Sequence, residues 1–189
     1  MQATTSKGIA MEEVPITEEP LPRLDVPYYL PVSLIKFSLL CLCTTNLYLL
    51  YWFYWNWDMI AKRKKKSMSP LLRAIFAAFT VHSMARELKE DAKEAGVAID
   101  SNFDSAAGLF LILTFGPALA KTGEILTSLN FLALLPIVSL MQQINNERAP
   151  KCPPNDTFGL WNIFLLVFGG AFFGMVLMGN LLSFLQWLG

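Results

Sequence analysis

Apolar residues in this chain come in blocks that are longer than the one-sided helices and alternating strands of a soluble domain require. Pro31 to Ile60 is almost continuously apolar, Ser105 to Ala120 and Glu124 to Met141 are shorter, and Phe158 to Leu188 is the longest. A helix needs about 20 apolar residues to cross the hydrocarbon of a bilayer, so the pattern predicts an all-α, polytopic membrane protein with about four membrane helices. The two middle blocks flank the tight connection Lys121-Thr122-Gly123 and read as an antiparallel helical hairpin close to the lower length limit for spanning.

The first block has two readings. A continuous helix from Pro31 would run roughly 45 Å, with Lys36 snorkelling outward to headgroups. The polar triplet Thr44-Thr45-Asn46 lies in its middle, however, and a break there would leave two halves of about 14 residues, suited to a re-entrant hairpin. In either case the block ends in an aromatic run, with seven aromatics in the ten residues Tyr48 to Trp57. Rings with polar tips collect where hydrocarbon meets headgroups, so Tyr48, Tyr51, Trp52, Tyr54, Trp55 and Trp57 are expected to form an interface belt.

Between the blocks, residues 61–104 change character. Ser69-Pro70 supplies a cap and a first-turn proline, and Gly96 a stop, so residues 70–95 are expected to form one amphipathic helix. Its first half is apolar on much of its circumference, through Leu71, Leu72, Ile75, Phe76 and Phe79. Its second half carries a stripe of Val81, Met84, Ala85, Leu88, Ala92 and Ala95 opposite the charged Arg86, Glu87, Lys89, Glu90, Asp91, Lys93 and Glu94. Such a helix lies on a membrane surface or packs on the bundle at one end and meets water at the other. Residues 1–30 are acidic and rich in proline and read as an extended tail, and residues 105–189 hold the three further membrane helices.

Composition agrees with the pattern: 54% of the residues are hydrophobic and 16% charged, and mean hydropathy is +0.43. The 15 basic and 15 acidic residues cancel, which leaves no global field for nucleic acid. They are segregated instead. Lys62, Arg63, Lys64, Lys65 and Lys66 follow the aromatic run, and Lys/Arg near helix ends mark the cytoplasmic side, which places residues 61–104 in the cytoplasm and Gly189 outside. If the first block spans, the acidic tail is outside as well; if it re-enters, the tail is inside. The same five cations are candidates for anionic lipid, each contributing about 1 kcal/mol near the surface.

Candidate chemistry is sparse. His82 is the single histidine, and Cys41, Cys43 and Cys152 suggest neither a disulfide framework nor a metal site, so no catalytic, cofactor or metal residue is expected. The chain has no apolar leader ahead of Asp25, so the first apolar block is expected to serve as the targeting signal. Gly170 and Gly174 give a G-x-x-x-G spacing for helix packing, within the chain or to a second copy. Asn46, Asn130 and Asn180 are expected to bond between helices.

Pro31, Ser33, Lys36-Phe37, Thr44, Leu47-Tyr48, Tyr51-Trp52-Phe53-Tyr54 and Asn56-Trp57, followed by Ser69-Pro70, Arg73-Ala74-Ile75-Phe76 and His82-Ser83, form a recognisable pattern. Over about a third of its length the chain resembles a family of uncharacterised bacterial membrane proteins with the motif T-x-x-L-Y-x-x-Y-W-F-Y-x-N-W. The resemblance implies a multi-pass protein of the bacterial inner membrane and brings no substrate or catalytic residue. Asn46 stands where that family tends to have glycine, and asparagine is the next residue to tolerate left-handed backbone. The expected function is therefore a non-enzymatic accessory or scaffold that packs in the bilayer against a membrane-protein partner or itself. The alternative is a small transporter or lipid-handling protein.

Overall fold

The computed structural model describes residues 25–120 and 127–188. The acidic tail before residue 25 and the Lys121-Thr122-Gly123 connection lie outside the described residues, as do the side chains of Asn180 and Trp187. The described residues are all-α: α1 (Leu34–Cys43), α2 (Leu47–Arg63), α3 (Pro70–Ile75), α4 (Ala77–Ala95), α5 (Phe103–Ala120), a 3-10 helix (Asn130–Leu134), α6 (Leu135–Arg148) and α7 (Leu160–Leu188). Among them there is no strand, only an isolated parallel bridge between Val32 and Asn155.

The first apolar block is two helices, not one continuous helix. Ser33 caps α1 by accepting a hydrogen bond from Lys36 N, so the helix begins three residues after Pro31. It ends where Thr45 and Asn46 take positive φ of 47° and 69°. Thr44 joins the two helices: its hydroxyl donates to Leu40 O at 2.6 Å and accepts from Tyr48 N at 3.0 Å. Asn46 N donates to Cys41 O at 2.8 Å, closing the wide turn that follows a left-handed helix end.

Beyond this turn the chain folds back. Phe37 of α1 meets Trp52 of α2 edge-on at 5.3 Å. At the open end, Leu30 N donates to Asn56 Oδ1 and Arg63 Nη1 donates to Tyr28 O. The start and finish of residues 28–63 are thus side by side. Because left-handed backbone costs a side-chain residue about 1–2 kcal/mol and a β-branched one most, Asn46→Val is expected to be less stable than Asn46→Gly by that amount. Both variants lose the bond from Asn46 Nδ2 to Thr127 O, so denaturant titration of the pair isolates the backbone effect; equal stabilities would contradict it.

The expected helix over residues 70–95 is also divided. Ser69 accepts from Leu72 N and Gly96 ends α4 at φ 69°, but Phe76, at φ −95° and ψ 38°, separates α3 from α4. Thr80 Oγ1 bonds to Arg73 O across that joint. On α4, Val81, Met84, Ala85, Leu88 and Ala92 are buried, as the stripe requires. The core is made where these residues meet Trp52, Phe53, Trp57 and Ile60 of α2, Phe103 and Phe110 of α5, and Leu134, Ile137, Met141 and Ile144.

The block expected to return as one helix over Glu124 to Met141 instead contains the 3-10 helix and then α6, which continues to Arg148. Residues 142–148, beyond the end of that block, are helical as well, with Ile144, Asn145 and Arg148 facing inward. Among the described residues one stretch, Leu160–Gly179 of α7, is long and apolar enough to cross a membrane, with a hydropathy of 2.1 and none of it buried within the chain. Leu34–Cys43 and Phe103–Pro117 are shorter apolar helices.

Candidate functional site

The densest polar constellation lies at the open end of the α1–α2 hairpin, where the basic run meets α4. Arg63 ends α2, and positive φ at Lys65 turns the chain so that its neighbours reach back across α4. Glu87 and Asp91 are one turn apart on α4 and therefore share an edge beside the buried Leu88. Asp91, fully buried, takes Arg63 Nη2 on Oδ2 at 2.6 Å and has Lys64 Nζ 2.9 Å from Oδ1. Glu87 takes Lys64 at 2.7 Å and Lys66 on its other oxygen, while Glu90 lies 3.3 Å from Lys64 at the rim. Three cations face three carboxylates, so the cluster is neutral.

The segment before α1 closes this cluster from the other side. The Tyr29 hydroxyl donates to Asp91 Oδ2, and the Arg63 guanidinium lies 3.6 Å from the Tyr28 ring centre and 4.9 Å from that of Tyr29. Asn145 of α6 holds Tyr29 by its backbone, accepting from its N–H at 2.8 Å and donating to its carbonyl at 3.0 Å. Further out, Lys151 pairs with Asp25 at 2.8 Å. The first described residue, the basic run and the loop after α6 therefore share one end of the molecule.

Burial alone would raise the Glu87 pKa, but hydrogen bonds and charge from Lys64 and Lys66 outweigh it and hold the carboxyl below its ordinary 4.5. Burial works against the Lys64 ammonium, and its bonds to Glu87 and Asp91 still carry its pKa above the usual lysine range. The Glu87 contribution to stability is present above the unfolded carboxylate pKa and is lost as pH falls through the lower folded value. Titrating Glu87→Gln beside the parent should therefore show a stability gap at pH 7 that narrows below pH 4.5; a gap that persists at low pH would assign it to packing.

The structure distributes the residues singled out by sequence among different roles. Of the five basic residues, Arg63, Lys64 and Lys66 bind α4, Lys62 pairs with Asp58 in the next turn at 2.7 Å, and Lys65 has no ion pair among the described residues. Of the belt, Tyr51 and Trp55 are exposed and Tyr48 and Tyr54 half-buried. Trp52 and Trp57 are fully buried against the chain itself, which removes them from a surface belt. Arg73 covers the Trp57 ring at 4.3 Å. Sequence reasoning put Glu87 and Asp91 on the solvent face of their helix; the signal for their partners was an adjacent run of cations with a turn in it.

Asn130 Nδ2 donates to Thr114 Oγ1 of α5 at 3.0 Å, and Asn46 bonds to the Thr127 carbonyl. On α7 the close approach is made by Gly169, where a Cβ would lie 2.3 Å from Cys43 O. A Cβ on Gly170 would lie 3.8 Å from Cys43 Sγ, and one on Gly174 would meet nothing within 4 Å. Lys36 does not snorkel outward: it is 4% exposed and donates to Thr157 O at 2.7 Å and Asn155 Oδ1 at 3.1 Å. Comparison with family models, curated proteins and solved structures finds no match, so the resemblance to bacterial membrane proteins rests on the motif residues alone.

Proposed function

We propose that this chain is an integral protein of the bacterial inner membrane with a non-enzymatic, accessory or scaffolding role. The observation that carries the reading is α7, whose membrane-length apolar stretch has no buried residue and is exposed on every face but the one that meets α1. Other exposed apolar residues extend that surface: Ile35, Leu47 and Leu50 on the hairpin, Leu71, Ile75 and Phe79 near the α3–α4 joint, and Leu109, Ile112 and Leu119 on α5. In this reading α7 crosses, α1–α2 enters and returns, and α5 with the residues after it packs beside them as shallow membrane helices.

The ion-paired end then faces the cytoplasm, with Lys65 left to meet anionic headgroups and the tail on the same side. The carboxylates of the cluster are matched to cations and to Tyr29, an arrangement that fixes two segments together rather than poising an acid or base. The role that remains is presentation of a helical surface to a membrane-protein partner or a second copy. Purification in mild detergent tests this: a second chain or second copy in fixed stoichiometry is expected, and a monomer that moves solute or lipid in liposomes would overturn it. A cleft of about 570 Å³ lined by Lys36, Tyr48, Trp161 and Leu165 favours lipid handling as the second reading.

A further inference from the structure

A cleft of about 570 Å³ runs between α1, the start of α2 and the start of α7. That volume falls in the usual range for small-molecule sites. Its walls are apolar and aromatic, with Val32, Leu47, Tyr48, Trp161 and Leu165 lining the space, and Lys36 and Thr44 line it along α1. Eight residues of chain set these two lining positions about 12 Å apart along α1, a span that an alkyl chain can follow. Leu47 of α2 and Trp161 of α7 are largely exposed, so the cleft is open to the outside.

Its polar end is unusual. The Lys36 ammonium has three donors, and two are used on neutral acceptors, the Asn155 side chain and the Thr157 carbonyl. Asp156, exposed between those two acceptor residues, attracts the ammonium by its charge but lies beyond ion-pairing distance, and the Phe158 ring lies 5.6 Å from it, although the lysine itself is only 4% exposed. A buried cation with no carboxylate in contact is costly, and an anion entering from the cleft would supply the third acceptor and a charge closer than that of Asp156. The rest of the cleft offers nothing to balance a second charge but suits a single alkyl chain.

We propose that this cleft binds a single-chain anionic amphiphile, its carboxylate or phosphate head on Lys36 and its chain lying along α1 between Tyr48, Trp161 and Leu165. The inference rests on the cleft alone and stands whether or not the chain is an accessory protein. Full-length protein in phosphatidylcholine nanodiscs would be titrated with brominated dodecanoate, with tryptophan quenching as the readout and Trp161→Phe as the control for position. Saturable quenching competed by dodecanoate or dodecyl phosphate is expected, and the stronger competitor identifies the head. Dodecanol should compete at least about tenfold more weakly, the difference a charge-assisted hydrogen bond makes.

Lys36→Gln should remove that head-group preference and Lys36→Arg retain it. If Lys36→Gln does not fold, the dodecanoate–dodecanol comparison on the unaltered protein decides alone. Equal competition by the two, or competition by inorganic phosphate without a chain, would overturn the proposal.

Discussion

Asp91→Ala is expected to destabilise the protein by about 3–5 kcal/mol, the largest loss of any single change at the ion-paired end. The carboxylate is wholly buried and is shared by Arg63, Lys64 and the Tyr29 hydroxyl. Removing it leaves the Arg63 guanidinium and the Tyr29 hydroxyl without their acceptor, while Lys64 keeps Glu87 and Glu90. Each of the cations retains 19% side-chain exposure, so water recovers part of the loss and the lower half of the range is expected. Glu90→Ala provides the internal control: its side chain is 57% exposed, and a rim pair of this kind contributes less than about 1 kcal/mol.

Arg63→Ala in the Asp91→Ala background should cost much less than in the parent, because the two side chains act as one unit. Denaturant titration in a single detergent, followed by tryptophan fluorescence, measures all five proteins, the parent included. Similar losses for Asp91→Ala and Glu90→Ala would show that the cluster is a surface feature.

Gly169→Val is expected to separate α7 from the hairpin. A Cβ at this position would lie 2.3 Å from Cys43 O and 2.9 Å from Cys43 C, and backbone atoms cannot swing aside as the end of a side chain can. The half-covered residues Asn162, Leu166, Gly169, Gly170, Phe173 and Val176 recur at helical spacing, so a displacement at Gly169 acts on the whole contact face. Overpacking of this kind costs about 1–3 kcal/mol when the partner stays in place, and a two-helix contact held by one close approach relieves it by parting.

Gly170→Cys provides the reporter, because its Cβ would lie 3.8 Å from the native Cys43 Sγ, within reach of a disulfide. With Cys41 and Cys152 replaced by Ala, oxidation should cross-link residues 43 and 170 when residue 169 is glycine and fail when it is valine. Cross-linking at the same rate in both would refute the close approach. Gly174→Val, placed where a Cβ meets nothing, should behave as the parent does.

These two contacts differ in how far they could be read from the chain. Helix boundaries set by local chemistry were legible: the Ser69 cap, the Gly96 stop and the buried stripe Val81–Met84–Leu88 each follow from residues within one or two turns. The break at Thr44–Asn46 was legible as an alternative, since a polar triplet in an apolar block has only a few uses. Choosing between a bonded mid-helix asparagine and a left-handed one required coordinates, and Asn46 is in fact both left-handed and bonded to Thr127.

The ion-paired end was not legible, because charges 21–28 residues apart meet only through the tertiary path of the chain. A run of lysines reads the same whether it faces headgroups or carboxylates. For the same reason the aromatic run concealed its division into core and surface: Trp52 and Trp57 satisfy a hydrophobic core as well as they would an interface. The G-x-x-x-G spacing of Gly170 and Gly174 does not single out Gly169, because spacing identifies small residues without saying which one meets a neighbour.

The central claim is that residues 31–60 fold back on themselves, bringing the start of the described chain to the basic run. Spin labels at Val26→Cys and Lys65→Cys, with the three native cysteines replaced by Ala, measure this directly by electron–electron distance spectroscopy. Both positions are exposed, and Tyr28 and Arg63 are in contact between them. A hairpin predicts a distribution centred at about 30 Å or less, allowing two residues of chain and a label arm on each side. A distribution centred beyond about 45 Å, the length of a single unbroken helix over the same block, would contradict the account.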